Sequence, residues 1–190
     1  MRKSKQEAAR TRERIVTAAA ARFRQHGIVA TGLSDLMAAA GLTHGGFYRH
    51  FESKDQLVTE ASAAALTALL DDLASVAAGK RGRTGLKAVA TKYLSTEHRD
   101  HPDEGCPLAA LGSELARANA KTRKAATAGF LRLVDIIASQ FDQAQPAEAK
   151  KRGIVAAATM IGALTMSRIV TDEAISKALL RNTEEALTGT

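Results

Sequence analysis

A single cysteine, Cys106, rules out a disulfide within the chain and fits a reducing cytosol. Only three prolines interrupt the chain, β-branched runs are few and alanine is abundant, which points to helices throughout. Tryptophan is absent and aromatic residues make up 4% of the whole. The start, "MRKSKQEAARTRERIV", has charge but no apolar segment or cleavage site, so no signal peptide is expected. The longest weakly polar run, "GIVAAATMIGALTMSRIV", is rich in Gly and Ala and contains Thr and Arg. It reads as a buried or interface helix, so no membrane partner is expected and a cytoplasmic protein is. No carboxylate pair, nucleophile–base set or phosphate loop stands out, which argues against an enzyme and implies no cofactor. With 45% hydrophobic and 25% charged residues, the chain has the composition of a soluble globular protein able to bury a core.

Acidic residues are scarce where the chain begins. Residues 1–30 hold Arg2, Lys3, Lys5, Arg10, Arg12, Arg14, Arg22 and Arg24 against Glu7 and Glu13. Eight cations less two anions give +6 of the formal net charge of +7. A basic arm running into a helix suggests a polyanion partner, although a solvated tail has the same composition.

Periodicity divides the rest. Ile15, Ala18, Ala19 and Phe23 share one face of a helix over residues 7–25, ended by His26-Gly27. Thr31 is expected to cap a second helix carrying Leu33, Leu36, Met37 and Ala40, and Gly41 to stop it. Thr43 is expected to cap a third, very short helix reaching His50. Ser53 with Gln56 forms a capping box that opens a long helix toward Val76. Residues 78–85, "AGKRGRTG", read as a linker. Beyond it the pattern predicts helices over 86–97, from Pro107, over 122–143, 147–170 and 172–187, with a polar loop at 98–105. The expected fold is all-α with about nine helices. Residues 1–55 form the basic arm and a three-helix helix-turn-helix unit, and residues 56–190 a larger body.

Three of the seven aromatics fall in "GLTHGGFYRHF", residues 41–51, beside Gly45 and Gly46. Two short helices joined at Gly41-Leu42 have the sequence form of a helix-turn-helix, whose second helix enters the major groove of DNA. Each glycine inside a helix costs about 1 kcal/mol relative to alanine, so a pair of them needs a compensating reason. Without a Cβ at Gly45 and Gly46, the backbone can approach phosphates or base edges closely. Phe47 and Phe51 can face inward and hold the short helix, while the Tyr48 hydroxyl can reach a phosphate oxygen.

The stretch "TAAAARFRQHGIVATGLSDLMAAAGLTHGGFYRHFESKDQL" resembles the amino-terminal DNA-binding domain of the TetR family of bacterial transcriptional repressors, over roughly residues 10–60. The resemblance implies an all-helical fold whose carboxy-terminal body dimerises and binds a small ligand. Carried onto this chain, it implies DNA contact by Thr43, His44, Gly45, Tyr48, Arg49 and His50, by Lys54 on the following helix, and by Thr31. Gly32 stands where many relatives have Ser or Thr, so one phosphate contact is missing. His44 stands where Lys or Arg is frequent, which should lower salt dependence slightly.

The second informative stretch is "EHRDHPDEGCPLAALGSEL". Pro107 suits the first turn of a helix and places Cys106 at its N-cap, where free amides and the helix dipole favour a thiolate. Protonated His98 and His101 would add to this; Asp103 and Glu104 would oppose it. "GCPLAALGSEL" resembles a TetR subgroup in which a Gly-Cys pair opens the helix bordering the ligand chamber, and some of whose members sense electrophiles or oxidants. Modification of Cys106 is thus one expected release signal, against a merely structural cysteine. His98, Asp100, His101, Asp103 and Cys106 include metal-ligand types but lack a matched second pair, so no metal site is expected.

In the body, Leu86, Val89, Leu108, Leu111, Leu115, Phe130, Val134, Ile137 and Phe141 are candidate chamber walls. The last two helices, with Ile154, Met160, Leu164, Ile169, Ile175, Leu179 and Leu180, resemble the family's dimer-forming pair. Ala156, Ala157, Gly162 and Ala163 would let such helices approach closely. The expected function is a dimeric, ligand-responsive repressor. It would bind a palindromic operator in double-stranded DNA and release it on binding a small-molecule effector or on modification of Cys106. The alternative is a structural DNA binder that recognises no particular site.

Overall fold

A computed structural model describes the backbone of residues 2–189 and the side chains of residues 5–189. Among the described residues there are nine α-helices, one 3-10 helix and no strand. They are α1 (Arg2–His26), α2 (Leu33–Ala39), the 3-10 helix (His44–Arg49), α3 (Lys54–Ala77), α4 (Gly82–Tyr93), α5 (Thr96–Asp100), α6 (Pro107–Ala116), α7 (Ala120–Ala138), α8 (Pro146–Ile169) and α9 (Glu173–Thr188). The basic arm is no separate tail, because its backbone from Arg2 is already the first part of α1. The side chains of Arg2 and Lys3 lie outside the described residues.

Gly27 and Gly41, with φ of 85° and 69°, take the left-handed conformation that ends α1 and α2 and that side chains resist. The Ser53 hydroxyl accepts from the Gln56 amide at 3.1 Å, and the Gln56 side chain accepts in turn from the Glu52 amide at 2.8 Å. This is the expected capping arrangement, displaced by one residue on its return bond. Thr31 does not cap α2. Gly32 holds that position, and the Thr31 side chain, one residue too early to reach the helix amides, is buried with its hydroxyl donating to the Gly27 carbonyl at 2.6 Å. Thr43 occupies the N-cap position of the next element without a side-chain bond. The helix predicted over 86–97 stops at Tyr93, because Ser95 caps a new short helix by accepting from the His98 amide at 3.0 Å. The first three residues of the predicted loop at 98–105 are therefore helical, and 101–105 form a turn.

Two cores form. The first joins Ile15, Ala19 and Phe23 of α1 with Leu36 and Met37 of α2, Phe47, Phe51, Leu57 and Val58 of α3, and Leu111 and Leu115 of α6. The second joins Leu70 and Leu73 of α3 with Val89, Tyr93, Cys106, Leu133, Ile137, Met160, Leu164 and Leu180. α3 and α6 contribute to both. Full burial of a large apolar side chain is worth about 1.5–3 kcal/mol, so Phe47 and Phe51 together outweigh the roughly 1 kcal/mol cost of each neighbouring glycine. Gly153 lets α8 lie against α7, since a Cβ there would stand 2.8 Å from the Val134 carbonyl oxygen.

The residues expected at the dimer face divide. Met160, Leu164, Leu180, Ala156, Ala157 and Ala163 are buried inside the body. Ile154, Ile169 and Ile175, joined by Val155 and Met166, are exposed large apolar side chains on α8 and α9, and Gly162 is exposed with open space beside it. No helix among the described residues is long and apolar enough to cross a membrane.

Candidate nucleic-acid interface

The turn after α2 and the burial of two phenylalanines fix the surface around residues 43–50. Phe47 and Phe51 stack with ring centroids 5.6 Å apart, and Tyr48 meets Phe47 edge-on at 5.2 Å. Phe47 and Phe51 are buried, whereas Tyr48 is 67% exposed and its hydroxyl has no hydrogen-bond partner among the described residues. Thr43, His44, Gly45 and Arg49 are exposed and His50 is half-buried. The segment winds as a 3-10 helix, tighter than an α-helix, which throws residues 45 and 48 into one row. A Cβ on Gly45 would meet nothing within 4 Å; one on Gly46 would touch only the Met37 side chain at 3.5 Å. Neither glycine is thus demanded by the protein's own packing.

α1 braces this surface from behind. Arg12 lies 4.5 Å over the Phe51 ring, donates to the His50 carbonyl at 3.3 Å and pairs with Glu60 at 2.5 Å. That pairing holds the Glu60 carboxyl below its ordinary range, the hydrogen bond from Arg12 being the main cause. Arg14 donates to the Ala40 carbonyl at 2.6 Å, and Arg24 to the Asp103 carbonyl. Three of the eight cations of the first thirty residues are thereby committed to the fold. Lys5 and Arg10 remain exposed. Lys54 donates to the Ile28 carbonyl at 2.6 Å, which leaves two of its three donors open. The Thr31 side chain has given its only proton to Gly27 and has none to offer a phosphate.

Glu114, on α6, is announced by no sequence pattern. Its carboxylate accepts from the amides of Ile28 at 3.1 Å and Val29 at 2.9 Å, clasping the turn between α1 and α2. A Cβ on Gly27 would come 3.1 Å from it. The partners are main-chain groups some 85 residues away, which leave no trace in side-chain composition.

At the other end of α6, Cys106 precedes Pro107 as expected, and the thiol is fully buried. Its pKa is raised, contrary to expectation. Burial outweighs the Tyr93 side chain, the amides of Ala109 and Leu108, and Arg168, all of which favour the thiolate. His98 is no charged helper. Its Nε2 accepts from the Cys106 amide at 2.8 Å, so Nδ1 carries the proton and donates to the Tyr93 carbonyl at 2.7 Å. Burial lowers its pKa to about 4. Gly105 is needed here, because a Cβ would stand 2.6 Å from the imidazole. Among the described residues, Arg24 Nε and Arg168 Nη1 are buried without hydrogen-bond partners. No group of three or more His, Cys, Asp or Glu able to hold a metal occurs among the described residues. The Cys106 thiol should react slowly with an aromatic disulfide reagent in the folded protein and at full rate in denaturant; equal rates would contradict its burial.

Of the expected chamber walls, Leu108, Leu115 and Phe130 line an open groove of about 370 Å³ between α6, α7 and α8, with Arg123 among its lining residues. Leu86 and Phe141 line a separate pocket beside the α7–α8 turn. Val89, Leu111, Val134 and Ile137 are packed into the two cores instead.

A three-helix amino-terminal unit with an open, glycine-thinned face, joined to a larger helical body, defines a helix-turn-helix regulator. The model of bacterial regulatory proteins of the tetR family matches residues 15–61, and that of the LmrA/YxaF-like transcriptional regulator carboxy-terminal domain matches residues 83–181. An uncharacterized HTH-type transcriptional regulator of Mycobacterium tuberculosis is 32% identical over 176 residues, covering 85% of this chain and 86% of that protein. A probable acrEF/envCD operon repressor of Escherichia coli is 45% identical over 58 residues, 30% of this chain and 26% of its own. A TetR-family regulator from Cytophaga hutchinsonii shares the fold with a TM-score of 0.81 at 22% identity, over 96% of each chain. The chain belongs to the TetR family of transcriptional regulators, which are not enzymes.

Proposed function

We propose that the protein is a cytoplasmic, dimeric repressor that binds a palindromic operator and releases it when a small molecule occupies the body. The observation that carries this reading is the pair of facts at the 3-10 helix: Gly45 opens onto empty space, and Tyr48 is held out by buried neighbours. A duplex lying there would meet Thr43, His44, Gly45, Tyr48, Arg49, His50 and the free donors of Lys54. Residues 1–55 supply this face, and residues 56–190 the regulation. Thr31 serves by shaping the turn. The exposed Ile154, Val155, Met166, Ile169 and Ile175 form an apolar face of the kind that two-fold pairing covers. Pairing would set two recognition elements about 34–36 Å apart or a multiple of that.

The effector reading favours the groove between α6, α7 and α8, which abuts the helix whose Glu114 clasps the DNA-facing unit. Release by modification of Cys106 is the weaker route, because the thiol is buried and its pKa raised. The "GCP" opening of α6 has a structural reason in the Gly105–His98 contact, and membership of a thiol-sensing subgroup is not needed to account for it.

Selection of bound duplexes from a random library tests the function. Inverted repeats should emerge; enrichment of no sequence would favour the structural DNA binder. Tyr48→Phe should weaken binding about tenfold on every duplex, since a hydrogen bond to a charged group is worth about 1.5–3 kcal/mol. Unchanged affinity would remove Tyr48 from the interface.

A further inference from the structure

Residues 115–134 contain Arg117, Lys121, Arg123, Lys124 and Arg132 and no aspartate or glutamate. Arg132 pairs with Asp71. The other four are exposed and have no ion-pair partner among the described residues. They gather where α6 ends and α7 begins. Arg117 is the C-cap of α6, and Asn119 caps α7 by accepting from the Thr122 amide at 3.0 Å. Lys121 and Lys124 are one turn apart on α7. Like charges at such spacing repel, so the cluster weakens the helix that carries it.

Three hydrogen bonds seat this corner against the turn before α2 and the start of α3. Glu114, three residues before Arg117, holds the Ile28 and Val29 amides. The Thr122 hydroxyl lies 2.6 Å from that of Thr59, on the second turn of α3. Thr59 is five residues beyond Lys54, about 7.5 Å along the helix axis. A lysine side chain can bridge much of that interval. Of the nearby anions, Glu114 is consumed by the two amides and Asp55 is exposed on the first turn of α3. Arg123 lines the apolar groove.

We propose that Arg117, Lys121 and Lys124 form a second phosphate-binding surface, carried by the body, that grips the duplex backbone beyond the reach of the 3-10 helix. This rests on the reading of residues 43–54 as the DNA face. The surface carries no sequence preference, because it meets phosphates and not base edges. It also joins the regulatory body directly to the DNA, so that a shift of α6 against α7 alters the grip without first passing through the amino-terminal unit.

The test uses the full chain and a duplex of about 40 base pairs of arbitrary sequence, with affinity measured across a salt series. The variants are Arg117→Gln/Lys121→Gln/Lys124→Gln and, removing the same charge elsewhere, Lys150→Gln/Lys151→Gln/Arg152→Gln. In the first variant the slope of log affinity against log salt should shrink by about 0.9 for each phosphate that is no longer neutralised; in the second it should stay unchanged. Arg117→Lys/Lys121→Arg/Lys124→Arg should keep the original slope, all variants should keep their helix content, and the first should melt no lower than the wild type. Equal slopes for the wild type and the first variant overturn the proposal, as does an equal reduction in both glutamine variants. A wild type that binds no duplex at all overturns the DNA face itself and this surface with it.

Discussion

Gly45→Glu should leave the protein as stable as the wild type and reduce its affinity for operator and random duplex by at least about a hundredfold. The fold has room for the side chain, as a Cβ at this position meets nothing within 4 Å and the backbone is not left-handed. Loss of the glycine should even stabilise the short helix slightly, by up to about 1 kcal/mol. The whole penalty therefore falls on binding. A carboxylate would face phosphates at close quarters, and like-charge contacts across an interface cost several kcal/mol. Gly45→Ala separates shape from charge: a smaller loss indicates that the backbone itself needs to come close. Thermal melting alongside a binding titration decides the matter. Wild-type affinity in the glutamate variant would remove the 3-10 helix from the interface.

The second large effect concerns acid. In the unfolded chain His98 takes up a proton near its ordinary pKa of 6.5, but in the fold only near 4. Between these values the unfolded state binds more protons, so stability is complete above pH 6.5 and declines as the pH falls toward 4. The loss amounts to about 2 kcal/mol at pH 5 and about 3 kcal/mol near pH 4. The cause is structural. Burial of the imidazole is the main cause; Arg168, Lys92 and Arg24 add positive charge nearby, and a proton on Nε2 would oppose the Cys106 amide that now donates to it. Asp100, Glu60 and Glu173 have carboxyl pKa values lowered by their hydrogen-bonded partners, Arg99, Arg12 and Lys177 respectively, so their contributions are lost only below about pH 4.5. Denaturant midpoints at pH 7.5 and 5 should therefore differ in the wild type. His98→Gln, weaker at both, should show little difference; an identical pH response in the two proteins would contradict the assignment.

Most of the DNA-facing unit is legible from local rules. Gly27 and Gly41 announce the helix ends because a left-handed residue is a local demand. Phe47 and Phe51 announce an inward face because helical spacing sets it. What escapes depends on partners distant in sequence. Charge counting cannot reveal that Arg12, Arg14 and Arg24 serve the fold, since their acceptors, apart from Glu60, are carbonyls. Thr31 has the right type for a cap but stands one residue before the N-cap position, with its hydroxyl donating back to the Gly27 carbonyl. The direction of the Cys106 pKa is hidden for the same reason. A helix N-terminus lowers a thiol's pKa when water can reach it, and nothing in the local sequence discloses that Tyr93 and Met160 share its core. The face proposed for pairing is half legible, because α8 buries apolar residues on one side and exposes them on another.

α6 has a consequence of scale. Its ten residues make a rod about 15 Å long, with Cys106 and the His98 imidazole at one end and the Glu114 carboxylate near the other. A tilt of about 10° pivoting at the cysteine end carries the far end sideways by roughly 2–3 Å over that length. Hydrogen bonds of 2.9 and 3.1 Å do not survive such a step, so the turn before α2 must either follow the rod or part from it. Whatever wedges this rod is felt at the turn before α2, and so at the proposed DNA face, as a change of angle.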